Sequence, residues 1–180
     1  MCGIIGYIGP QQSGEILVEG LRRLEYRGYD SAGIAVLNGE IQLRRAVGKL
    51  RNLDLALRDD PVSGCMGIGH TRWATHGRPT EPNAHPHVFD DIAVVHNGII
   101  ENHLALRAML QERGHEFASE TDTEIFAHLI AVERRAGLSL LDATRAAVAQ
   151  VQGSWALAVL DARLPDLLVI AKQHSPLIIG

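Results

Sequence analysis

The sequence predicts an α+β fold in which antiparallel sheets lie between layers of helix, and three observations carry that expectation. Strand-like apolar runs gather in the first part of the chain and again after Gly153, with helical patterns between them. That segregated order suits an α+β layered sandwich better than the alternation of a doubly wound sheet. Asn38-Gly39 stands between two strand-like runs, the strongest short-range signal for a β-hairpin. Finally, 180 residues with 46% apolar and 21% charged side chains are enough to bury one substantial core. No internal repeat, low-complexity tract or charged linker divides the chain, so residues 1–180 read as one domain.

The elements follow in order. Ile4 to Ile8 is a short apolar run closed by Gly9-Pro10 and reads as a buried strand. Ser13 is placed to cap a helix whose Leu17, Leu21 and Leu24 share a face. Ala32–Leu37 and Ile41–Ala46 are the arms of the hairpin, and Met66–His70 and Ile92–His96 are further strands. Leu106, Met109 and Leu110 mark a helix ended by Gly114. Thr121-Asp122-Thr123-Glu124 has capping-box spacing ahead of the buried stripe Ile125, Phe126, Leu129 and Ile130. Ser139 opens another helix, carrying Ala147, Val148 and Val151 to Gly153. Trp155–Leu160 and Leu167–Ala171 are the last strands. Pro176 to Gly180 is an apolar run at the chain end, which predicts that the final strands of the domain lie beyond it.

Several functions are disfavoured. A net charge of −4, with Arg22, Arg23, Arg44 and Arg45 interleaved among Glu and apolar residues, argues against a nucleic-acid surface. No apolar run reaches membrane-helix length, and the start lacks the pattern of a signal peptide. Two cysteines, Cys2 and Cys65, do not make a disulfide framework, and the default setting is a reducing cytoplasm. Cys65 reads as a buried small hydrophobe opening a strand. His85-Pro86-His87 is too sparse for a zinc site, so the histidines read as hydrogen-bonded structural residues. Gly64, Gly67 and Gly69 form neither a dinucleotide nor a P-loop pattern. Asp59-Asp60-Pro61 reads as a solvated loop.

Cys2 draws attention because only Met1 precedes it and Gly3 follows it. Removal of the initiator methionine would leave a thiol and a free α-amine on one residue. Their ordinary pKa values, about 8.5 and 7.7–8.0, are close enough for the amine to take the thiol proton. Position alone is a weak signal, since an incidental second-residue cysteine reads the same way.

Six blocks strengthen it. Cys2-Gly3-Ile4-Ile5-Gly6, Leu21 to Gly33 and Gly69 to Gly77 occur in that order. Asn83-Ala84-His85-Pro86-His87, His96 to Asn102 and Ser119 to Glu124 follow. In content and order they resemble the N-terminal-nucleophile glutamine amidotransferases over the whole chain. The wording of Tyr26-Arg27-Gly28-Tyr29-Asp30 and Arg72-Trp73-Ala74-Thr75-His76 points to the sugar-aminating branch of that family. The resemblance implies a four-layer α/β/β/α sandwich of the N-terminal-nucleophile hydrolase type, with two antiparallel sheets between helix layers. It implies hydrolysis of L-glutamine to glutamate and ammonia through a Cys2 thioester, without cofactor or metal. In the branch, ammonia passes to a second half that binds fructose 6-phosphate and makes glucosamine 6-phosphate, a step of hexosamine biosynthesis. That sugar-isomerase half has no counterpart in these residues, and the parent enzyme is expected to be a homo-oligomer.

By the same resemblance, Asn97 and Gly98 supply the oxyanion hole, though on pattern alone they read as an Asn-Gly turn ending the strand Ile92–His96. Arg72 offers a planar fork for the glutamine carboxylate, with Thr75 and His76 near it. Asp122 offers a charge for the ammonium. The plainer readings are a structural ion pair for Arg72 and first-turn helix stabilisation for Asp122. Trp73 belongs to a segment that gates the ammonia route or else is core, and Arg27 supports the nucleophile. Against the enzyme stands a catalytically silent fragment or partner-binding module that keeps the fold. A third reading attaches the same glutaminase to another synthase, such as an amidophosphoribosyltransferase.

Overall fold

The computed structural model describes residues 2–73 and 77–180. It contains two four-stranded antiparallel sheets. The first has the order β1 (Gly3–Ile8), β4 (Met66–Arg72), β2 (Ser31–Asn38), β3 (Glu40–Val47). The second has the order β5 (His87–Phe89), β6 (Ile92–Ile100), β7 (Gly153–Asp161), β8 (Leu168–Gln173). Helices α1 (Ser13–Leu24) and α2 (Leu50–Asp59) cover the first sheet, where Leu17, Leu21 and Leu53 meet Ile34 and Val36. Helices α3 (His103–Glu112), α4 (Glu124–Arg135) and α5 (Leu140–Val148) cover the second. Ala35, Met66, Ile68, Ala93, Val95, Ala158 and Leu160 fill the seam between the sheets. The result is the expected four-layer α/β/β/α sandwich.

The hairpin forms as expected, with β2 and β3 in register from Ser31↔Val47 to Asn38↔Glu40 around Gly39. Ser139 caps α5 by accepting the Asp142 N–H at 3.1 Å. Other local expectations are corrected. Ser13 does not cap α1; its hydroxyl donates to the Gly64 carbonyl at 2.9 Å and pins the helix start to the loop before β4. Thr121 to Glu124 form no capping box. The Glu124 carboxylate accepts the N–H groups of Ala118 and Ser119, both at 2.8 Å, while the threonine hydroxyls bond to histidines. Cys65 is exposed, because β4 begins one residue later and the Cys65 carbonyl is spent on the Gly9 N–H.

Helix α2 and strand β5 escaped the sequence reading. Helix α2 has no side-chain cap of its own; Glu25, ahead of the hairpin, accepts the Leu50 N–H at 3.0 Å. Strand β5 is only three residues long.

The largest correction concerns β6. It does not turn at Asn97-Gly98 but runs on to Ile100, paired with β7 through Asn97↔Ala156 and Gly98↔Trp155. Gly98 makes this possible. Its φ of +150° is one that side chains disfavour. A Cβ there would stand 2.1 Å from the Ser154 carbonyl oxygen.

The seam between the sheets should dominate stability. Ile68→Ala is expected to cost about 2–5 kcal/mol in urea unfolding. Ile178→Ala, at a residue 93% exposed, should stay within about 0.5 kcal/mol. Equal effects would contradict the layer assignment.

Candidate active site

The sheets bring Cys2 and Asn97 together at one end of the seam. Cys2 immediately precedes β1, whose first residue pairs with Thr71 of β4. The thiol therefore lies beside the end of β4: Trp73 N–H points at Cys2 Sγ at 3.4 Å, and the thiol faces the Trp73 carbonyl at 3.6 Å. From the other sheet, Asn97 Nδ2 donates to the Cys2 carbonyl at 3.0 Å. One amide hydrogen of Asn97 is thus fixed, which leaves the other to be aimed at a substrate oxygen.

Residues along β6 divide their work by the two-residue alternation of a strand. Asn97 faces the first sheet, and the His96 ring faces α4, where it contacts Phe126 edge-on. The backbone alternates too. β5 pairs only with Ile92–Val94, so the later residues of β6 have one edge not taken by a strand. Ile100 N–H uses that edge to donate to Asp122 Oδ2 at 2.9 Å, and the His96 carbonyl uses it to accept from His70 Nε2 at 3.0 Å. Gly98 lies between them, and alternation puts its N–H on the same edge.

Asp122 is 5% exposed and directly precedes α4. Its Oδ2 is taken by Ile100, and Oδ1 has no hydrogen-bond partner among the described residues. Arg72, 3% exposed, ends β4. Its guanidinium donates to the carbonyls of Gly77 at 3.0 Å and Arg78 at 3.3 Å, and lies 3.9 Å from Asp30 Oδ1. Here Arg72 holds the backbone of Gly77 and Arg78. Trp73 is 47% exposed, which corrects the core alternative, and it meets Tyr29 edge-on at 5.4 Å. Tyr29, Asp30 and Trp73 line a recess of about 170 Å³. A larger open groove, about 590 Å³, lies away from it between α1 and α2 and contains Arg22 and Asp54 but no candidate nucleophile.

Arg27 closes a 3-10 turn, Glu25–Arg27, and is half-buried. Gly28 beside it lies against β4, where a Cβ would come within 2.6 Å of the Arg72 carbonyl carbon. Asp30 N–H then donates to the Arg72 carbonyl at 3.1 Å. The Arg27 loop therefore buttresses the end of β4. Thr75 and His76 lie outside the described residues.

Tyr29 and Asp30, which line the recess beside Trp73, were not singled out from the sequence, although both fall in the block that contains Arg27. The sequence reading also missed the roles of His70, His96, Thr121 and Thr123, whose partners are distant in sequence.

Electrostatics at the site oppose an idle thiolate. Burial pushes the Cys2 thiol up from its ordinary value, and the Trp73 N–H and the more distant Arg72 pull the other way. The histidines beneath are neutral for the same reason. Burial lowers His70 to about 3 and lowers His85, His87 and His96 as well. His85 Nε2 and His87 Nε2 are engaged by Thr123 and Thr121, and no grouping of three metal-ligating side chains occurs among the described residues.

Comparison with known proteins points one way. Residues 70–179 match the family described as glutamine amidotransferase domain. Glutamine–fructose-6-phosphate aminotransferase (isomerizing) from Shewanella oneidensis is 56% identical over all of this chain, and that from Pseudomonas putida is 55% identical. The chain spans about 30% of the length of these relatives. Among solved structures, glutamine phosphoribosylpyrophosphate amidotransferase from B. subtilis superposes with a TM-score of 0.77 at 27% identity. The match covers 90% of this chain and 35% of that one.

Two outcomes follow. Below about pH 6.5 the unfolded chain takes up protons that the buried rings refuse. Their contribution is fully present above that pH and lost as pH falls, so the urea midpoint should drop between pH 7 and 5; a flat profile would contradict neutral rings. Gly98→Ala should lose both stability and glutamine hydrolysis, measured by unfolding and ammonia release. A fully stable, active variant would show that the strand tolerates a Cβ there.

Proposed function

The chain belongs to the glutamine amidotransferase domain family, and from that premise we propose that residues 1–180 act as one glutaminase unit with Cys2 as nucleophile. The observation that carries the reading is the convergence of Cys2, Trp73 and Asn97 from both sheets, with Sγ 3.4 Å from a backbone donor and Asn97 Nδ2 3.0 Å from the Cys2 carbonyl.

The chemistry proceeds in two stages. With Met1 removed, the Cys2 α-amine takes the thiol proton and the sulfur attacks the glutamine side-chain amide carbon. The developing oxyanion is met by the second Asn97 amide hydrogen and the Gly98 N–H. Collapse expels ammonia, which carries the proton, and leaves a thioester. Water then attacks the thioester, releasing glutamate and restoring the thiol. Arg72 receives the glutamine carboxylate, aided by Trp73, Thr75 and His76. Asp122 receives the ammonium through Oδ1, and Arg27 supports the end of β4. Nothing among the described residues favours a silent fragment.

The relatives' name extends the proposal. Ammonia made here would pass to a partner half that aminates fructose 6-phosphate, feeding hexosamine biosynthesis in a homo-oligomeric cytoplasmic enzyme. A reducing compartment suits an unpaired thiol. No helix among the described residues is long and apolar enough to cross a membrane.

Steady-state glutamate release tests the assignments. Asn97→Ala should lower kcat by about 10²–10³-fold. Arg72→Ala and Asp122→Ala should chiefly raise KM for glutamine. A pure kcat loss in either of these two, or unchanged turnover in Asn97→Ala, would remove the residue from its role.

A further inference from the structure

The Asp122–Thr123 pair is fastened to β6 at two points on either side of Gly98. Asp122 Oδ2 accepts the Ile100 N–H at 2.9 Å, and Thr123 Oγ1 lies 2.8 Å from His96 Nδ1. The same hydroxyl lies 2.7 Å from His85 Nε2. A hydroxyl has one hydrogen and two lone pairs, so at most one of the two rings accepts from Thr123 and at least one donates to it. His85 stacks on His70 at 4.0 Å between centroids, and His70 Nε2 donates to the His96 carbonyl at 3.0 Å, which closes the arrangement back onto β6. On the far side of Asp122, Thr121 Oγ1 is 2.9 Å from His87 Nε2 and 3.0 Å from Ser119 Oγ. All of these side chains are at most 5% exposed.

We propose that Thr123, clasped by His85 and His96, is a positioning residue that sets where the Asp122 carboxylate stands relative to the Asn97–Gly98 donors, and so fixes selectivity for an amide that also bears an α-ammonium. This rests on the glutaminase reading above. The physical case is that a helix N-terminus does not by itself favour a cation, since its dipole prefers anions. Asp122 must therefore be held in one orientation for Oδ1 to reach an ammonium. Its own bond to Ile100 leaves rotation about the chain open, and the buried hydroxyl on the next residue removes that freedom. His85 and His96 bring no charge of their own to the ammonium, because burial keeps both rings neutral.

The test compares kcat/KM for L-glutamine with that for 5-amino-5-oxopentanoate, which keeps the amide and carboxylate but lacks the α-amine. Thr123→Val removes the hydroxyl at nearly constant volume and should lower the ratio of the two values by roughly five- to tenfold, the scale of one lost hydrogen bond. Thr123→Ser keeps the hydroxyl and should keep the ratio. If Thr123→Val does not fold, His85→Phe retains a ring on His70, removes one of the two clasps and should lower the ratio in the same direction. Equal losses on both substrates, or an unchanged ratio, would overturn the positioning role while leaving the glutaminase intact. Absence of glutamine hydrolysis in the unsubstituted, Met1-free protein would instead overturn the reading on which it rests.

Discussion

The hydrogen bond from Asn97 Nδ2 to the Cys2 carbonyl joins the two sheets at the proposed active site, over 3.0 Å. It exists only because β6 continues past the point where a local reading would end it. Asn97 must be within a strand to face the first sheet, and the strand persists because Gly98 accepts a φ of +150° under the Ser154 carbonyl. Given that continuation, His96 turns toward α4, Asn97 toward Cys2, and Ile100 toward Asp122. A three-residue β5 leaves the edge on which Ile100 N–H meets Asp122.

The sandwich makes this placement rigid. Apolar side chains from both sheets fill the seam, and each outer face is covered by its own helices. Cys2 sits at the end of that seam and not within it, so it is partly buried while Tyr29 and Trp73 remain half exposed beside it. Partial burial suits a thiol that gains its reactivity from an adjacent amine. In the proposed mechanism, burial, which raises the Cys2 thiol, restrains the thiolate until a base is supplied, and the Asn97 and Gly98 donors face the charge that develops.

Much of the architecture was legible because it follows from periodicity and turn chemistry. The Asn38-Gly39 hairpin, the Ser139 cap and the stripe Ile125 to Ile130 all formed where the pattern put them. The misreadings share one cause, a local signal overruled by a distant partner. Asn97-Gly98 resembles a turn until Trp155 pairs with it. Thr121 to Glu124 resembles a capping box until His87, Ser119 and His85 claim its side chains. Helix α2 starts on a cap lent by Glu25. For the site, the block resemblance singled out Cys2, Asn97 and Gly98, and the fold brings Cys2 and Asn97 into contact. The buried histidine clasp was not legible, because its partners come from β4, the segment before β5, β6 and the approach to α4.

The central claim is that Cys2 becomes a nucleophile when its own α-amine is free. Intact mass measured after exposure to an electrophilic glutamine analogue, on Met1-free and Met1-retaining protein side by side, tests it most directly. The account predicts a single adduct that maps to Cys2 and forms only when Met1 is absent, with Cys65 unlabelled. Equal labelling of both forms, or an adduct on Cys65 alone, would contradict it.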